Sequence, residues 1–281
     1  MKVCSTIPEA RAACRAARAR GQRLGLVPTM GALHEGHLSL VRAAKAQCDA
    51  VAVSIFVNPT QFGPTEDLST YPRQFDCDCR LLEGEGVDIL FAPPVEEMYP
   101  PGGVTWVLVE SLSEKLDGRS RPGHFRGVTT IVSKLFHIIE PATAFFGQKD
   151  AAQVAVIRRM VRDLNFAVEI VACPIVREAD GVAMSSRNAY LNREERGRAL
   201  VLQRSLQKAR QQFDAGERIA DKLISAARGV FAREPQVVLD YFEIVDPDTL
   251  DPVERISQKT LVAVAAYVGT TRLIDNLVLE P

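Results

Sequence analysis

The sequence predicts an α/β fold: a Rossmann-like, doubly wound parallel sheet followed by a smaller C-terminal α+β domain. Three observations carry that expectation. Short, nearly continuous apolar runs such as "LGLVP" (24–28) and "AVAVSIFV" (50–57) suit strands buried on both faces. Segments with apolar residues at helical spacing alternate with these runs, as in a parallel sheet with crossover helices. Polar clusters recur where the runs end, and an open α/β sheet binds ligands at the carboxyl ends of its strands.

Taken in order, Thr6-Ile7-Pro8-Glu9 is a capping box with an early proline, so the alanine- and arginine-rich run ending at Gly21 is a helix. The strand at 24–28 leads through a glycine loop to a helix over 37–48 and the strand at 50–57. A helix within 72–84, strands at 87–93 and 105–110, and a helix over 127–140 follow. The strand at 142–147, the helix at 150–165 and the strand at 168–176 complete the alternation. Beyond Val176 the pattern changes. "READG" is a turn, "MSSRNAYLN" is polar, helices lie near 193–213 and 219–233, and strands lie at 237–246 and 260–268. We therefore place a domain boundary near 176, separating residues 1–176 from 177–281.

Composition narrows the function classes. The 281 residues can bury a sizeable core, and 34 basic against 35 acidic residues give a net charge of -1. There is no bulk electrostatic drive toward nucleic acid or an anionic membrane, so any anion site must be local. Six cysteines lack both zinc-site spacing and the density of a disulfide framework, which fits reduced thiols in a cytoplasm. Arginines interrupt the N-terminal run, so it lacks the apolar centre of a signal peptide. No stretch approaches the ~20 apolar residues that span a bilayer.

"PTMGALHEGHLSLV" (28–41) places His34 and His37 at the mouth of a glycine loop before a helix. The backbone N–H groups of a helix start bind phosphate, and imidazoles add donors to the same oxygens. A metal pair would need a third ligand, and His124 and His137 lie far off without paired spacing. A polar turn with satisfied histidines is the remaining alternative. The P-loop, the dinucleotide fingerprint, the nucleophile elbow and the zincin motif are all missing.

Four further segments stand near strand ends or the domain boundary. "FVNPTQFG" (56–63) offers Asn58 and Gln61, amides that both donate and accept, although Asn-Pro alone is more often a turn. "DGRSRPGHFRG" (117–127) gathers Arg119, Arg121, His124 and Arg126, able to hold a carboxylate or pyrophosphate or to be a solvated loop. "FFGQKDAAQ" (145–153) carries Lys149, Asp150 as a predicted N-cap, and Gln153 one turn on. "GVAMSSRN" (181–188) supplies two hydroxyls and an arginine that could reach phosphates across an interdomain cleft, or a serine-rich linker.

Together "PTMGALHEGH", "FVNPTQF", "RPGHFRG", "FGQKD" and "SSRN", with "TRLIDN" (271–276) near the end, resemble the pantoate–beta-alanine ligase (pantothenate synthetase) family of the nucleotidylyltransferase superfamily. The resemblance covers nearly the whole chain. It implies a cytoplasmic enzyme, usually a homodimer, whose substrates are pantoate, beta-alanine and ATP. The pantoate carboxylate would attack the α-phosphate, pyrophosphate would leave, and the beta-alanine amine would then attack the acyl adenylate to give pantothenate and AMP.

Carried over by position, Met30, Gly31, Ala32 and Leu33 would line the ATP site together with His34, Glu35, Gly36 and His37. His34 and His37 would meet the phosphates, and His37 would be the catalytic acid. Gly147, Gln148, Lys149 and Asp150 would also hold ATP, as would Val176, Met184, Ser185, Ser186 and Arg187. Lys149 and Arg187 complete the catalytic set, closing on phosphate oxygens to offset charge in the transition state. Gln61 and Gln153 would hold pantoate, with Gln61 also meeting beta-alanine and Asn58 and Arg121 supporting the pocket. Mg2+ would ride on the triphosphate, with Asp78 as its protein supporter. His137, Ala142 and Ala152 depart from the family's usual residues, and none is assigned to chemistry. The apolar runs at 50–57 and 105–110 are the places expected for dimer contact.

Overall fold

Thr6 and Glu9 close their capping box, Thr6 Oγ1 accepting from the Glu9 N–H and Glu9 Oε2 from the Thr6 N–H, and start helix α1 (Ile7–Ala19). Strand β1 (Lys2–Cys4) precedes it, a strand too short to show as an apolar run. These and the following elements come from a computed structural model that describes residues 1–64 and 66–281. Next along the chain are β2 (Leu24–Thr29), α2 (Glu35–Gln47), β3 (Ala50–Ile55), α3 (Phe75–Gly84), β4 (Ile89–Phe91) and the single turn α4 (Val95–Met98). A second short turn, α5 (Asp117–Ser120), leads to α6 (His124–Ile139), β5 (Thr143–Gly147), α7 (Ala151–Asp163) and β6 (Glu169–Cys173).

The six strands form one parallel sheet in the order β1-β4-β3-β2-β5-β6. Its pleat sorts the side chains. Val27, Val51 and Val53 face Leu40, Val41 and Ala44 of α2, while Leu24, Leu26, Ala50 and Ala52 join α1, α6 and α7 in the larger core. Helices therefore cover both faces. The strand order reverses beside β2, so the carboxyl ends of β2, β3 and β5 open onto a shared crevice.

The rest of the chain holds α8 (Arg193–Asp214), α9 (Ala220–Phe231) and an antiparallel sheet of β7 (Val237–Val245), β8 (Thr260–Val268) and β9 (Thr271–Leu279). One face of this sheet, with Phe242, Ile244, Val262 and Val264, packs on α8 and α9. Tyr241, Val245, Leu261, Ala263 and Ala265 on the other face join the core of the parallel sheet. Polar ties add to that apolar seam. Arg272 bridges Asp117 at 2.7 Å and Asp240 at 2.8 Å, and Lys115 reaches Asp251 at 2.7 Å.

The expected strand at 105–110 does not form. The segment lies outside the parallel sheet and instead crosses α6. There the Val107 N–H donates to Thr130 Oγ1 and the Val107 carbonyl accepts from Thr129 Oγ1. Its alternate side chains Val104, Trp106 and Leu108 point outward and are 84%, 43% and 53% exposed. The run at 50–57 has the opposite fate. Residues Ala50–Ile55 are an inner strand between β2 and β4, which removes them as a place for a second copy. Among the described residues no helix is long and apolar enough to cross a membrane.

Candidate active site

Past β2 the chain turns through Gly31 at φ +80° and Ala32 at φ +50°. A non-glycine residue in this left-handed region needs support. Asp78 of α3 supplies it, Oδ2 accepting from the Ala32 N–H at 3.0 Å and Oδ1 from the Leu33 N–H at 2.8 Å. This carboxylate is 1% exposed and both oxygens are committed to the loop. Asp78, which the resemblance offers as a magnesium supporter, holds the loop in this structure. Among the described residues no three His, Cys, Asp or Glu side chains gather into a metal-holding group.

The two histidines form the N-terminal cap of α2. His34 Nδ1 accepts from the Gly36 N–H at 3.1 Å, and His37 Nδ1 accepts from the His34 N–H at 3.4 Å, a capping box built from imidazoles. Each Nδ1 is an acceptor, so each ring carries its proton on Nε2 when neutral. Their ring centroids are 4.1 Å apart. Burial, then the neighbouring charges of His34 and Lys149, push His37 down to about 3, and burial and Lys149 also lower His34. Both shifts favour the neutral rings, whose Nε2–H groups are donors.

Two joined lobes of a cleft, about 220 Å³ and 680 Å³, share Arg121, His124, Lys149, Asp150, Gln153, Ser185 and Arg187. The smaller lobe is floored by Val128, Ile131 and Val132 of α6 and rimmed by Met30, His34 and His37. Gln61 and Asn58 reach it from the turn after β3. Asn58, 1% exposed, donates to Gln61 Oε1 at 3.0 Å and to the Gly127 carbonyl at 3.1 Å, and accepts from Tyr99 and Thr60 hydroxyls at 2.9 Å each. All its capacity is used in orienting Gln61, whose Nε2 is thereby turned toward Met30 and the cleft. Gly127 lets α6 approach this turn, for a Cβ there would stand 2.4 Å from the Thr60 carbonyl oxygen.

His124 is a site residue that the motif contained but spacing could not place. Arg121 Nη1 lies 3.0 Å from its Nε2, and its Nδ1 lies 2.8 Å from the Gln61 carbonyl. Since arginine only donates, Nδ1 must carry the proton. Burial and Arg121 hold His124 down at about 4. It is thus a neutral link that fixes Arg121 against the Gln61 turn.

From β5 the chain passes into the Gln148–Asp150 turn, and Asp150 takes the cap position of α7 without a cap bond from its carboxylate, contrary to its expected capping role. The turn is held from the far end of the chain. Asn276 of β9, 3% exposed, donates to the carbonyls of Gln148 and Lys149 at 2.9 Å each, and Gln148 turns its amide onto Asn276. Only the motif "TRLIDN" hinted at this residue, which carried no role in the sequence. Met184 donates its N–H to the Val176 carbonyl at 3.0 Å, and with Ser185 and Ser186 both line the small lobe. Arg187 reaches the same cleft. Gly31, Ala32 and Leu33 shape the loop without lining the cleft, and Glu35 turns outward to Arg42.

Donors that converge on one crevice from strand ends, a helix start and a second lobe define a Rossmann-like enzyme that handles a phosphorylated nucleotide. Comparison makes the class specific. The family described as pantoate-beta-alanine ligase matches residues 2–278, and the chain belongs to it. A pantothenate synthetase of Koribacter versatilis is 62% identical over 280 residues, covering 100% of this chain and 96% of that protein. One of Thermotoga neapolitana is 58% identical over 279 residues, covering 99% and 100%. Among solved structures, pantothenate synthetase of Thermus thermophilus superposes with a TM-score of 0.95 at 46% identity over 100% of both chains. Pantoate-beta-alanine ligase of Francisella tularensis, complexed with beta-gamma ATP and beta-alanine, gives 0.80 at 34% identity over 99% and 97%.

Proposed function

We propose that the cleft condenses (R)-pantoate with beta-alanine in an ATP-dependent reaction that passes through pantoyl adenylate. The observation that carries this reading is the pairing of an apolar, amide-rimmed pocket at Gln61 and Gln153 with the imidazole, lysine and arginine donors beside it. A carboxylate oxygen of pantoate attacks the α-phosphorus, the bond to the bridging oxygen breaks, and pyrophosphate leaves. The beta-alanine nitrogen then attacks the acyl carbon and loses a proton, and the acyl–oxygen bond breaks to release AMP. Val128, Ile131 and Val132 would receive the methyl groups of pantoate, with Gln61 and Gln153 on its polar atoms.

His34 and His37 would donate Nε2–H bonds to α-phosphate oxygens as charge builds there, with Lys149 and Arg187 on the departing phosphates. His37 serves here as a neutral donor. Gly147, Asp150, Val176, Met184, Ser185 and Ser186 would enclose the nucleotide. Magnesium would ride with the substrate, on the triphosphate: among the described residues no three His, Cys, Asp or Glu side chains form a cage, and Asp78 already accepts two backbone N–H groups.

Incubating the protein with ATP, magnesium and pantoate, with and without beta-alanine, and following AMP, pyrophosphate and pantothenate tests the reading. Failure to form AMP with all three substrates present sinks it.

The same proposal includes residues 1–176 and 177–281 as domains, a cytoplasmic location and a homodimer. Six free thiols are consistent with a reducing compartment. The extended 104–108 segment, with exposed Val104, Trp106 and Leu108 and no strand partner among the described residues, is the surface proposed for the second copy. Sedimentation of Trp106→Arg checks this, and an unchanged dimer would move the interface elsewhere.

A further inference from the structure

Two of the cations assigned to anionic substrates are already engaged, both by one short segment. Arg121 Nε and Nη2 form a two-pronged pair with Glu66 at 2.8 and 2.6 Å, and Arg187 Nε and Nη2 do the same with Asp67 at 3.0 and 2.9 Å. All four side chains are 15–28% exposed, so they sit at the cleft wall rather than on open surface. Arg121 has further anchors, its Nη1 at His124 and its Nη2 at the Gln61 carbonyl, so its plane stays put whatever Glu66 does. Among the described residues Asp67 is the only partner of the Arg187 guanidinium.

The segment itself is held independently of these carboxylates. Tyr190 Oη donates to the Thr70 carbonyl at 3.4 Å, and the Tyr71 hydroxyl lies 3.3 Å from Ser186 Oγ. Glu66 and Asp67 can therefore release their arginines without freeing the segment's downstream end. Burial acts to raise both carboxylates, but the arginine bonds outweigh it and keep them below the ordinary range, so both are anions at neutral pH.

We propose that Glu66 and Asp67 are internal counter-anions that occupy the guanidinium faces of Arg121 and Arg187 until substrate anions displace them, which makes them specificity-determining positioning residues. This rests on the ligase reading above and goes past it. A two-pronged guanidinium face accepts one carboxylate or phosphate edge at a time, so the internal acid and the ligand compete. A neutral ligand gains nothing at these faces, whereas one carrying a carboxylate at Arg121 or a polyphosphate at Arg187 replaces the acid. When pyrophosphate departs, Asp67 returns to Arg187 and disfavours rebinding.

Calorimetric titration of the full chain with magnesium pyrophosphate, pantoate and adenosine tests this. Removing a competitor that holds its cation most of the time raises apparent affinity by the inverse of the free fraction, about 5-fold for a partly exposed pair. Asp67→Asn is expected to bind pyrophosphate about 5-fold more tightly with adenosine unchanged, Asp67→Glu to restore the original value, and Glu66→Gln to tighten pantoate selectively. Unchanged or weaker pyrophosphate and pantoate binding in these variants, in a chain that still makes pantothenate, overturns the proposal alone. A parent chain that neither binds ATP nor forms AMP overturns the ligase reading and this proposal with it.

Discussion

Replacing Asp78 with Asn separates two roles that the sequence left joined. The carboxylate accepts from the Ala32 and Leu33 N–H groups and is buried, so its bonds are charge-assisted and shielded from water. An amide keeps one acceptor oxygen and turns an NH2 group toward the other backbone donor. One charge-assisted bond is lost, the other weakens to a neutral one, and a buried N–H is left without a partner, a cost of about 2–4 kcal/mol. The loss falls on a loop whose Ala32 is already in the left-handed region, so the 30–34 loop loosens with it. Thermal unfolding should drop by about 5 °C or more, since each kcal/mol moves Tm by about 2–4 °C in a chain near this size. The KM for ATP should rise about 10-fold or more, the scale of ~1.4 kcal/mol in loop positioning. The magnesium concentration for half-maximal rate, measured at saturating ATP, should stay put. An unaltered Tm together with a shifted magnesium requirement would refute this reasoning and restore Asp78 as a ligand.

Three other perturbations probe the site. His37→Ala should lower turnover at least ~100-fold with the fold intact, the scale of a lost transition-state donor; near-normal turnover would return the ring to a purely capping role. Burial lowers His37 to about 3, so the neutral ring is the form expected to work. The pantoate-dependent pyrophosphate exchange rate should therefore stay level from pH 6 to 8, and a fall as pH rises through ~6.5 would show an imidazolium at work. The sign for stability follows. A folded value below the unfolded one means that the His37 contribution is full above ~6.5 and fades as pH falls toward 3, visible as a declining Tm in acid. Gly127→Ala drives a Cβ against the backbone of Thr60 and Gln61, so the KM for pantoate should rise at least ~10-fold, and an unchanged value would free that turn from its role. Asn276→Ala removes two buried donors from the Gln148–Asp150 turn; a loss of about 2 kcal/mol in stability and a reduced kcat/KM for ATP are expected, and a stability loss with unaltered kinetics would count against positioning.

The inner strands could be read directly from the chain because each is buried on both faces and is a run of apolar residues with little else to be. The helices between them announced their period, and the polar motifs followed the strand ends. Local chemistry determined these features, since periodicity and capping need no distant partner. The strand expected at 105–110 shows where that information ends. "TWVLVE" alternates as a strand should, yet the Val107 backbone bonds to the Thr129 and Thr130 hydroxyls of α6 rather than to a neighbouring strand, a partner that no local pattern announces.

At the site the division is similar. His34 and His37 were visible as a loop pair, but which ring nitrogen carries the proton depends on the backbone donors of Gly36 and His34, and the lowered His37 value depends on burial and on the charges of His34 and Lys149. The resemblance offered Asp78 only as a magnesium supporter, and folding brought α3 against the loop so that both its oxygens accept backbone N–H groups. Asn276 and His124 hold parts of the cleft by bonds to residues 127 and 63 positions away, separations at which sequence carries no geometric signal. Residue type and period specified which elements form and which donors stand at their ends. Tertiary packing decided which donors face the cleft, which are spent on the scaffold and which are charged, because those properties come from burial and from neighbours that are distant in the chain.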